Sequence, residues 1–330
     1  MKIAIAGATG LVGRKMIEIL EEMMIKPSEL ILCASPNSAG KSIDFMGEAH
    51  TIILLEQALN QNPDIVLFSA GGEVSKEWAP KFAANGSFVI DNSSAWRMDE
   101  NVPLVVPEIN ADLINSNTKI IANPNCSTIQ LVLAIKPLQH IYGIKRLVIS
   151  TYQSVTGSGI KGINQMESER RGEEPSEKAY PHSIDGNIIP QGGEFLDNGY
   201  TTEEMKLVHE TRKILSAPEM AITATVVRVP VTGGHSESIN IEFEKEYEIE
   251  EAKKLIGMMP GVLELDFPQA SLYPMPKIAE GKDQVFVGRI RRDESIENGL
   301  NMWVVADNLR KGAATNAVQI AKYIITNKLV

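Results

Sequence analysis

The sequence has almost no cysteine, and its cysteines form no pattern that would bind a metal. Only Cys33 and Cys126 are present among its 330 residues. Neither lies in a CxxC motif, and no spacing of cysteine and histidine is typical of a zinc site. We therefore expect neither a disulfide framework nor a metal, and a reducing compartment is the simplest expectation.

Long apolar runs and basic stripes are missing as well. No stretch of about 18 apolar residues is present, and the N-terminus enters a strand-like run without the apolar segment of a signal peptide. The formal net charge is −10, which argues against nucleic acid and anionic membranes as main partners. These absences predict a cytoplasmic protein that binds neither nucleic acid nor membrane.

The order and texture of the apolar runs predict two domains with different sheets. Over residues 1–125 short apolar strands, among them Leu104–Val106, alternate with helical patterns, which indicates a parallel sheet covered on both faces. From about residue 145 the strands become longer and alternate in polarity, which indicates an antiparallel or mixed sheet. The amphipathic C-terminal segment 312–327 is expected to pack back on the first domain.

A glycine-rich segment joins the first predicted strand to the first predicted helix. It reads Gly7-Ala8-Thr9-Gly10-Leu11-Val12-Gly13, a GxxGxxG variant of the dinucleotide-binding loop. Glycines permit the tight turn and let the backbone approach a pyrophosphate at the helix N-terminus. A purely structural turn is the alternative, but the position between strand and helix favours dinucleotide binding.

The end of the second predicted strand bears on which dinucleotide binds. An NAD enzyme usually carries Asp or Glu about 20 residues after the glycine loop, where it binds the ribose 2′-hydroxyl. The segment Cys33–Lys41 contains no acidic residue. Its Ser35, Ser38 and Lys41 suit a 2′-phosphate instead, so NADP is favoured. An ordinary polar turn at residues 38–41 is the alternative interpretation.

Cys126 lies in the hexapeptide Asn123-Pro124-Asn125-Cys126-Ser127-Thr128, between a strand-like run and a helical run. This order predicts that Cys126 stands at a helix N-terminus. Free N–H groups and the helix dipole there favour an anion, so a thiol in that position has a lowered pKa and more of the nucleophilic thiolate. We interpret Cys126 as a nucleophile. The alternative is a small buried apolar side chain, which most free cysteines are.

A cysteine nucleophile needs a group that handles protons, and His235 is the best placed of five histidines. It follows a strand-like run and a Gly-Gly pair, which suit a loop that carries an imidazole to a site. Arg228 lies on that run, and Arg97 ends the segment Asn92–Arg97. Both have the guanidinium fork that binds carboxylates and phosphates. For Arg228, a structural salt bridge is the alternative.

Seven segments, in order along essentially the whole chain, resemble the aspartate-β-semialdehyde dehydrogenase family. They are GATGLVG at 7–13, SSAWRM at 93–98, NPNCSTIQ at 123–130, TYQSVTGSG at 151–159, ETRKIL at 210–215, VRVPVTGGHSES at 227–238 and LRKGAATNAVQIA at 309–321. The resemblance implies an α/β fold similar to glyceraldehyde-3-phosphate dehydrogenase. A Rossmann-type NADP-binding domain over 1–125, completed by a C-terminal helix over 310–330, would precede an α+β catalytic and dimerisation domain over 126–309 with a mixed sheet. A homodimer or homotetramer is implied as well.

The reaction implied by the resemblance is the reversible, NADPH-dependent reduction of L-aspartyl-4-phosphate to L-aspartate-4-semialdehyde and phosphate. That step feeds the synthesis of lysine and diaminopimelate, threonine and methionine. Matching by motif, Cys126 is the nucleophile, His235 the acid–base group and Gln153 the residue that orients the intermediate.

Substrate and cofactor positions also follow from the resemblance. The substrate-binding positions are Arg228 for the carboxylate, Glu203 for the amino group, Lys206 and Arg97 for phosphate, and Asn125. The choice between Glu203 and Glu204 is open by one register. The cofactor positions are Gly7, Ala8, Thr9, Gly10, Leu11, Val12, Gly13, Ser35, Ser38, Lys41, Ser69, Gly71, Gly157 and Asn316. Pro36 and Asn37 depart from a basic residue that relatives carry, which weakens strict NADP preference.

Two rival functions are considered. Another acyl-phosphate reductase, such as N-acetyl-γ-glutamyl-phosphate reductase, would share the chemistry, but the NPNCST and HSES segments favour the aspartate-β-semialdehyde family. A non-catalytic NADP-binding protein in which Cys126 is an oxidation switch would not need a full set of anion-binding residues. The presence of Arg97, Lys206 and Arg228 argues against it.

Overall fold

The computed structural model describes all 330 residues, which form two compact units. Unit one comprises Met1–Asn125 and Ala313–Val330, and unit two comprises Cys126–Gly312. No helix combines the length and the apolar character needed to cross a membrane. No group of three or more His, Cys, Asp or Glu side chains is arranged to hold a metal ion.

Unit one alternates strand and helix. Its elements are β1 Lys2–Ala6, α1 Leu11–Glu22, β2 Glu29–Cys33, β3 Ser42–Phe45, β4 Glu48–Ile53, α2 Leu55–Leu59, β5 Ile65–Phe68, α3 Gly72–Ala84, β6 Phe88–Asp91, α4 Pro107–Asn110, β7 Ile120–Ala122 and, from the C-terminal segment, α10 Thr315–Thr326. The sheet order is β3-β4-β2-β1-β5-β6-β7. All neighbours pair in parallel except β3 with β4.

The apolar strands of unit one are buried on both faces of the sheet. Side chains of β1 alternate between two clusters: Ile3 and Ile5 pack with α1 and α10, while Ala4 and Ala6 pack on the other side with α3. Because β1 has β2 on one side and β5 on the other, the strand order reverses at β1. In open parallel sheets, ligands bind outside the carboxyl ends of the strands at such a point.

One predicted strand of unit one was wrong. Leu104–Val106 contributes only a single bridge, between Leu104 and Ala122. The segment is flanked by Pro103 and Pro107. Proline has no N–H to donate to a ladder, so the apolar run cannot extend into a strand.

Unit two is built around a six-stranded mixed sheet. Its elements are α5 Cys126–Tyr142, β8 Ile144–Gln153, α6 Gly159–Arg170, α7 Thr202–Leu215, β9 Ala221–Arg228, β10 His235–Phe243, α8 Ile249–Gly257, β11 Val262–Glu264, α9 Pro276–Ala279, β12 Val285–Asp293 and β13 Gly299–Ala306. The strand order is β11-β12-β13-β10-β8-β9. The predicted long strands of alternating polarity are therefore confirmed.

The pairing in unit two gathers polar residues at one edge of the sheet. Strands β8 and β9 run parallel, with Gln153 opposite Arg228 at their carboxyl ends. Strand β10 runs antiparallel to β8 and pairs Ser236 with Tyr152, so it begins at the same edge with His235. Residues far apart in sequence thus become neighbours through strand register alone.

Candidate active site

Cys126 is the first residue of helix α5, as the sequence predicted. Its thiol is half-buried, and neither it nor Cys33 forms a disulfide. A Cβ atom at Gly312 would lie 2.9 Å from the Cβ atom of Cys126, closer than real Cβ atoms approach. Position 312 must therefore be a glycine, because the backbone there passes too close to Cys126 for a side chain.

Gln153 is fully buried at the end of β8. Its amide Nε2 donates a hydrogen bond of 3.0 Å to Ser127 Oγ, the side chain next to Cys126. The amide oxygen Oε1 is also buried and has no partner within the protein. The amide is thus held by the first turn of α5 through its nitrogen, while its oxygen is left to accept a hydrogen bond.

His235 is fully buried, and its surroundings keep it neutral. The backbone N–H of Ser154 donates to Nδ1 at 3.0 Å, so a neutral imidazole carries its hydrogen on Nε2. Nε2 has no partner within the protein. The pKa of His235 is lowered to about 3, mainly by burial and also by the charge of Arg228, while Glu203 opposes the shift.

Arg228 lies beside His235, and a glycine makes room for both. Arg228 is almost fully buried, and its backbone is fixed by hydrogen bonds with Ile189. A Cβ atom at Gly157 would lie 3.0 Å from His235 Cε1 and 3.1 Å from Arg228 Nη1. The structure therefore brings Gly157 against the imidazole and the guanidinium in unit two. Its predicted contact with the cofactor stays a prediction.

Glu203 and Glu204 have different surroundings at the start of α7. Glu204 forms a capping box with Thr201, accepting from its N–H at 2.6 Å, and its other oxygen accepts from Val226 N–H at 3.0 Å. Glu203 instead forms an ion pair with Lys206 at 2.8 Å. Its negative charge acts to raise the pKa of His235. Because Glu204 is occupied by backbone groups, the geometry favours Glu203 as the residue of the polar site.

In unit one, the glycine loop borders a cavity of about 580 Å³. It is lined by Gly7, Thr9, Gly10, Ala34, Ser35, Pro36, Leu54, Leu55, Glu56, Ser69, Ala70, Val74 and Trp78. A Cβ atom at Gly7 would lie 2.2 Å from Ser69 O, and one at Gly13 would lie 2.2 Å from Gly7 O. This loop is built from backbone packed against backbone, as expected where a dinucleotide pyrophosphate approaches closely.

The remaining predicted cofactor positions are placed less uniformly in unit one. Ser35 lines the cavity, and the turn that follows closes with a hydrogen bond of 3.2 Å from Lys41 N to Ser38 O. The Lys41 side chain is exposed. Asn316 is fully buried, and its amide donates to Val105 O at 2.9 Å and to Asn123 Oδ1 at 2.7 Å. These hydrogen bonds fix the Asn316 side chain within unit one, and its predicted contact with the cofactor stays a prediction.

Arg97 and Asn125 belong to unit one. Arg97 is buried, and its guanidinium donates to the carbonyl oxygens of Asn123 at 3.0 Å and Asn92 at 2.9 Å. These contacts fix the arginine to the segment that precedes Cys126 in sequence. Asn125 is also nearly buried.

Sequence reasoning missed three supporting residues of unit two. Ser127 receives the Gln153 hydrogen bond, Gly312 makes room at Cys126, and Glu237 is fully buried two residues after His235. The only sequence signal for Glu237 was its place within the HSES segment. The sequence around each of these residues does not indicate which helix or strand packs against it in the folded unit.

The two units match family models in the same order. Residues 2–117 match the model for the NAD binding domain of semialdehyde dehydrogenases, and residues 135–311 match the model for their dimerisation domain. An aspartate-semialdehyde dehydrogenase of Aquifex aeolicus is 52% identical, with 100% of this chain and 99% of that protein covered. The chain belongs to the aspartate-semialdehyde dehydrogenase family. The family member of Bacillus subtilis is 44% identical, again with 100% and 99% coverage.

Solved structures of the family agree in fold. Aspartate semialdehyde dehydrogenase II of Vibrio cholerae, complexed with ASA, is 43% identical and superposes with a TM-score of 0.93, covering 99% of this chain and 98% of that one. The enzyme of Candida albicans, solved with NADP, is 25% identical with a TM-score of 0.79 over 100% and 99% of the chains. The predicted family, its class of oxidoreductase and the two-part α/β fold are confirmed by these matches.

Proposed function

We propose that this protein catalyses the reversible, NADPH-dependent conversion of L-aspartyl-4-phosphate to L-aspartate-4-semialdehyde and phosphate. The observation that carries the proposal is the polar edge of unit two. There Gln153, which bonds the residue after Cys126, meets Arg228 and a neutral His235. The names of the full-length relatives support the same substrate. The step would supply lysine and diaminopimelate, threonine and methionine synthesis.

Cys126 is the nucleophile in this proposal. Its thiolate attacks the acyl carbon of aspartyl phosphate, the S–C bond forms, and the C–O bond to phosphate breaks. The product on the enzyme is a thioester, which splits one difficult displacement into two easier steps. Gln153 orients the bound acyl group, since its buried Oε1 has no partner within the protein and can accept a hydrogen bond.

The proton and the cofactor take part in the second step. NADPH, when bound along the glycine loop, supplies the hydride that the thioester carbon accepts. His235 is the acid–base group: its Nε2 hydrogen is shared with the substrate oxygen that becomes negative as a tetrahedral intermediate forms, and it returns on collapse. That collapse breaks the S–C bond, frees the aldehyde and restores the Cys126 thiolate. General acid–base help of this kind is typically worth about 10²–10⁴ in rate.

The charged residues divide the remaining recognition tasks. Arg228 holds the substrate carboxylate through its planar fork, which an ammonium group cannot reproduce. Glu203 binds the substrate amino group, Lys206 and Arg97 bind phosphate, and Asn125 is a further substrate-binding residue. The cofactor positions are the loop Gly7–Gly13 with Ser35, Ser38, Lys41, Ser69, Gly71, Gly157 and Asn316.

NADPH is the preferred cofactor in this proposal. Cys33–Lys41 has no acid to bind a ribose 2′-hydroxyl, and Lys41 offers a cation. We further propose that the chain acts in the cytoplasm as a homodimer or homotetramer, which the family's dimerisation domain over residues 135–311 supports.

A substrate panel tests the function directly. Phosphate-dependent reduction of NADP⁺ should occur with L-aspartate-4-semialdehyde and be at least 100-fold slower with N-acetyl-L-glutamate-5-semialdehyde, because each polar substrate group left without its partner costs binding. Equal rates with both aldehydes, or turnover that does not require phosphate, would contradict the proposal. The panel also separates this reaction from that of N-acetyl-γ-glutamyl-phosphate reductase.

A further inference from the structure

Glu237 is a fully buried acid that the proposed reaction does not use. It lies on β10, on the same face as His235, because side chains alternate along a strand. Its neighbour across the β8 ladder is Thr151, which is also fully buried. From α5, Ser127 and Gln130 face its carboxyl group.

This cluster is unusual in its hydrogen bonding. Both oxygens of Glu237, both amide atoms of Gln130 and the hydroxyl of Thr151 are buried without a partner at hydrogen-bond geometry. Glu237 forms no ion pair. A buried carboxylate without a cation is strongly disfavoured, so the group is held as a neutral acid. Burial accordingly raises the pKa of Glu237 well above its usual range.

A neutral acid matches the chemistry of these neighbours. A carboxylic acid offers one O–H donor and one C=O acceptor. The Ser127 hydroxyl and the Gln130 amide each offer both a donor and an acceptor, and both act on the Glu237 carboxyl group. Ser127 Oγ also accepts from Gln153 Nε2 at 3.0 Å. The cluster therefore links β10 to the first turn of α5 and, through Gln153, to β8.

We propose that Glu237 is a positioning residue: through Ser127 and Gln130 it fixes the first turn of α5, which carries Cys126, and the amide of Gln153. The inference rests on the proposed role of Cys126 as the nucleophile. Glu237 touches no reacting atom and acts only through its neighbours. Small errors in the position of a reacting group are costly, since a shift of about 1 Å can reduce the rate by about 10²-fold.

Two substitutions of similar size test the proposal. Glu237→Gln keeps one donor and one acceptor but cannot be charged, whereas Glu237→Leu keeps much of the volume and removes both. We expect Glu237→Leu to lower kcat about 10²-fold with NADPH affinity unchanged, and Glu237→Gln to stay within about threefold of the wild type. Near-wild-type kcat in Glu237→Leu would overturn the proposal. A loss in Glu237→Gln equal to that in Glu237→Leu would also overturn it, because charge rather than hydrogen bonding would then matter.

A second readout does not depend on the substrate. The rate of Cys126 alkylation by iodoacetamide reports the position of the thiol, even if the proposed reaction is wrong. We expect a several-fold change in Glu237→Leu and none in Glu237→Gln. The matched control is Tyr142→Phe, which removes another unpartnered buried hydroxyl from the far end of α5. It should leave the alkylation rate unchanged, and an equal change there would contradict a specific role for Glu237.

Ser127→Ala keeps the proposal testable if Glu237→Leu does not fold. Removing the connecting hydroxyl should lower kcat to a similar extent. The pair Glu237→Leu and Ser127→Ala should be non-additive, because residues in one hydrogen-bond network couple. Full additivity, or no effect of Ser127→Ala, would show that Glu237 does not act through Ser127.

Discussion

The cofactor cavity of unit one and the polar site of unit two are built from different parts of the chain. The glycine loop that borders the cavity is shaped by backbone, with Gly7 and Gly13 packed so closely that no side chain fits. The polar site is made of buried side chains whose charges and hydrogen bonds depend on one another, as the pKa of His235 at about 3 illustrates. Binding at the glycine loop is therefore limited by the space that the backbone leaves. Binding at the polar site is limited by the charge and hydrogen bonding of its side chains.

This difference explains why the two sites were predictable to different degrees. The glycine loop was readable because its spacing between strand and helix directly encodes backbone shape. Cys126 was readable because a helix N-terminus is a local feature of sequence. The contact between Gln153 and Ser127, and the burial of Glu237, arise from register between β8, β10 and α5. Register is set by packing of the whole unit, so no local pattern indicates it.

The choice between Glu203 and Glu204 shows the same limit. Both acids lie in the first turn of α7, and both are buried. Only the structure shows that Glu204 is engaged by the capping box and by Val226 N–H. For the wrongly predicted strand at Leu104–Val106, by contrast, the sequence did hold the deciding signal. Prolines flank the run on both sides, but the prediction followed its apolar composition instead.

The largest difference between the two sites is expected from a substitution in the polar site of unit two. His235→Ala should lower kcat by about 10²–10⁴, because the acid–base group is lost. NADPH affinity should not change, since every proposed cofactor position except Gly157 lies in unit one. Steady-state kinetics and fluorescence titration with NADPH measure the two quantities. A matching loss of NADPH affinity would break the distinction between the sites.

Gly13→Ala should have the converse effect on the backbone site. Its Cβ atom would lie 2.2 Å from Gly7 O, and overpacking typically costs about 1–3 kcal/mol. NADPH should therefore bind about 10- to 100-fold more weakly, while iodoacetamide alkylation of Cys126 proceeds at the wild-type rate. Gly72→Ala is the matched control, because a Cβ atom there meets nothing within 4 Å. Equal NADPH affinity in Gly13→Ala and the wild type would refute the steric argument.

The buried imidazole predicts a dependence of stability on pH. The pKa of His235 is lowered from 6.5 to about 3 in the folded protein, so the unfolded chain binds the extra proton first as pH falls. Stability that is fully present above pH 6.5 should be lost toward pH 3, at up to about 1.4 kcal/mol per pH unit. Urea unfolding at pH 6 and pH 5 should show a steeper loss in the wild type than in His235→Gln. Parallel pH profiles of the two proteins would contradict a neutral buried imidazole.

The smallest effect concerns cofactor choice at the turn that follows Ser35. Lys41→Ala should weaken NADPH binding roughly three- to fivefold, the size of an exposed ion pair of about 1 kcal/mol. NADH binding is the internal control and should not change, since NADH lacks the 2′-phosphate. Equal affinities of the wild type for NADPH and NADH would remove the NADP preference.

The central claim, that Cys126 carries the acyl group as a thioester, is tested most directly without phosphate. Wild-type protein mixed with L-aspartate-4-semialdehyde and NADP⁺ should release one NADPH per site and then stop, with intact-mass analysis finding the aspartyl acyl group on Cys126. Adding phosphate should discharge that group and restart turnover, and Cys126→Ala should show neither burst nor adduct. Phosphate-dependent turnover by Cys126→Ala near the wild-type rate would contradict the account.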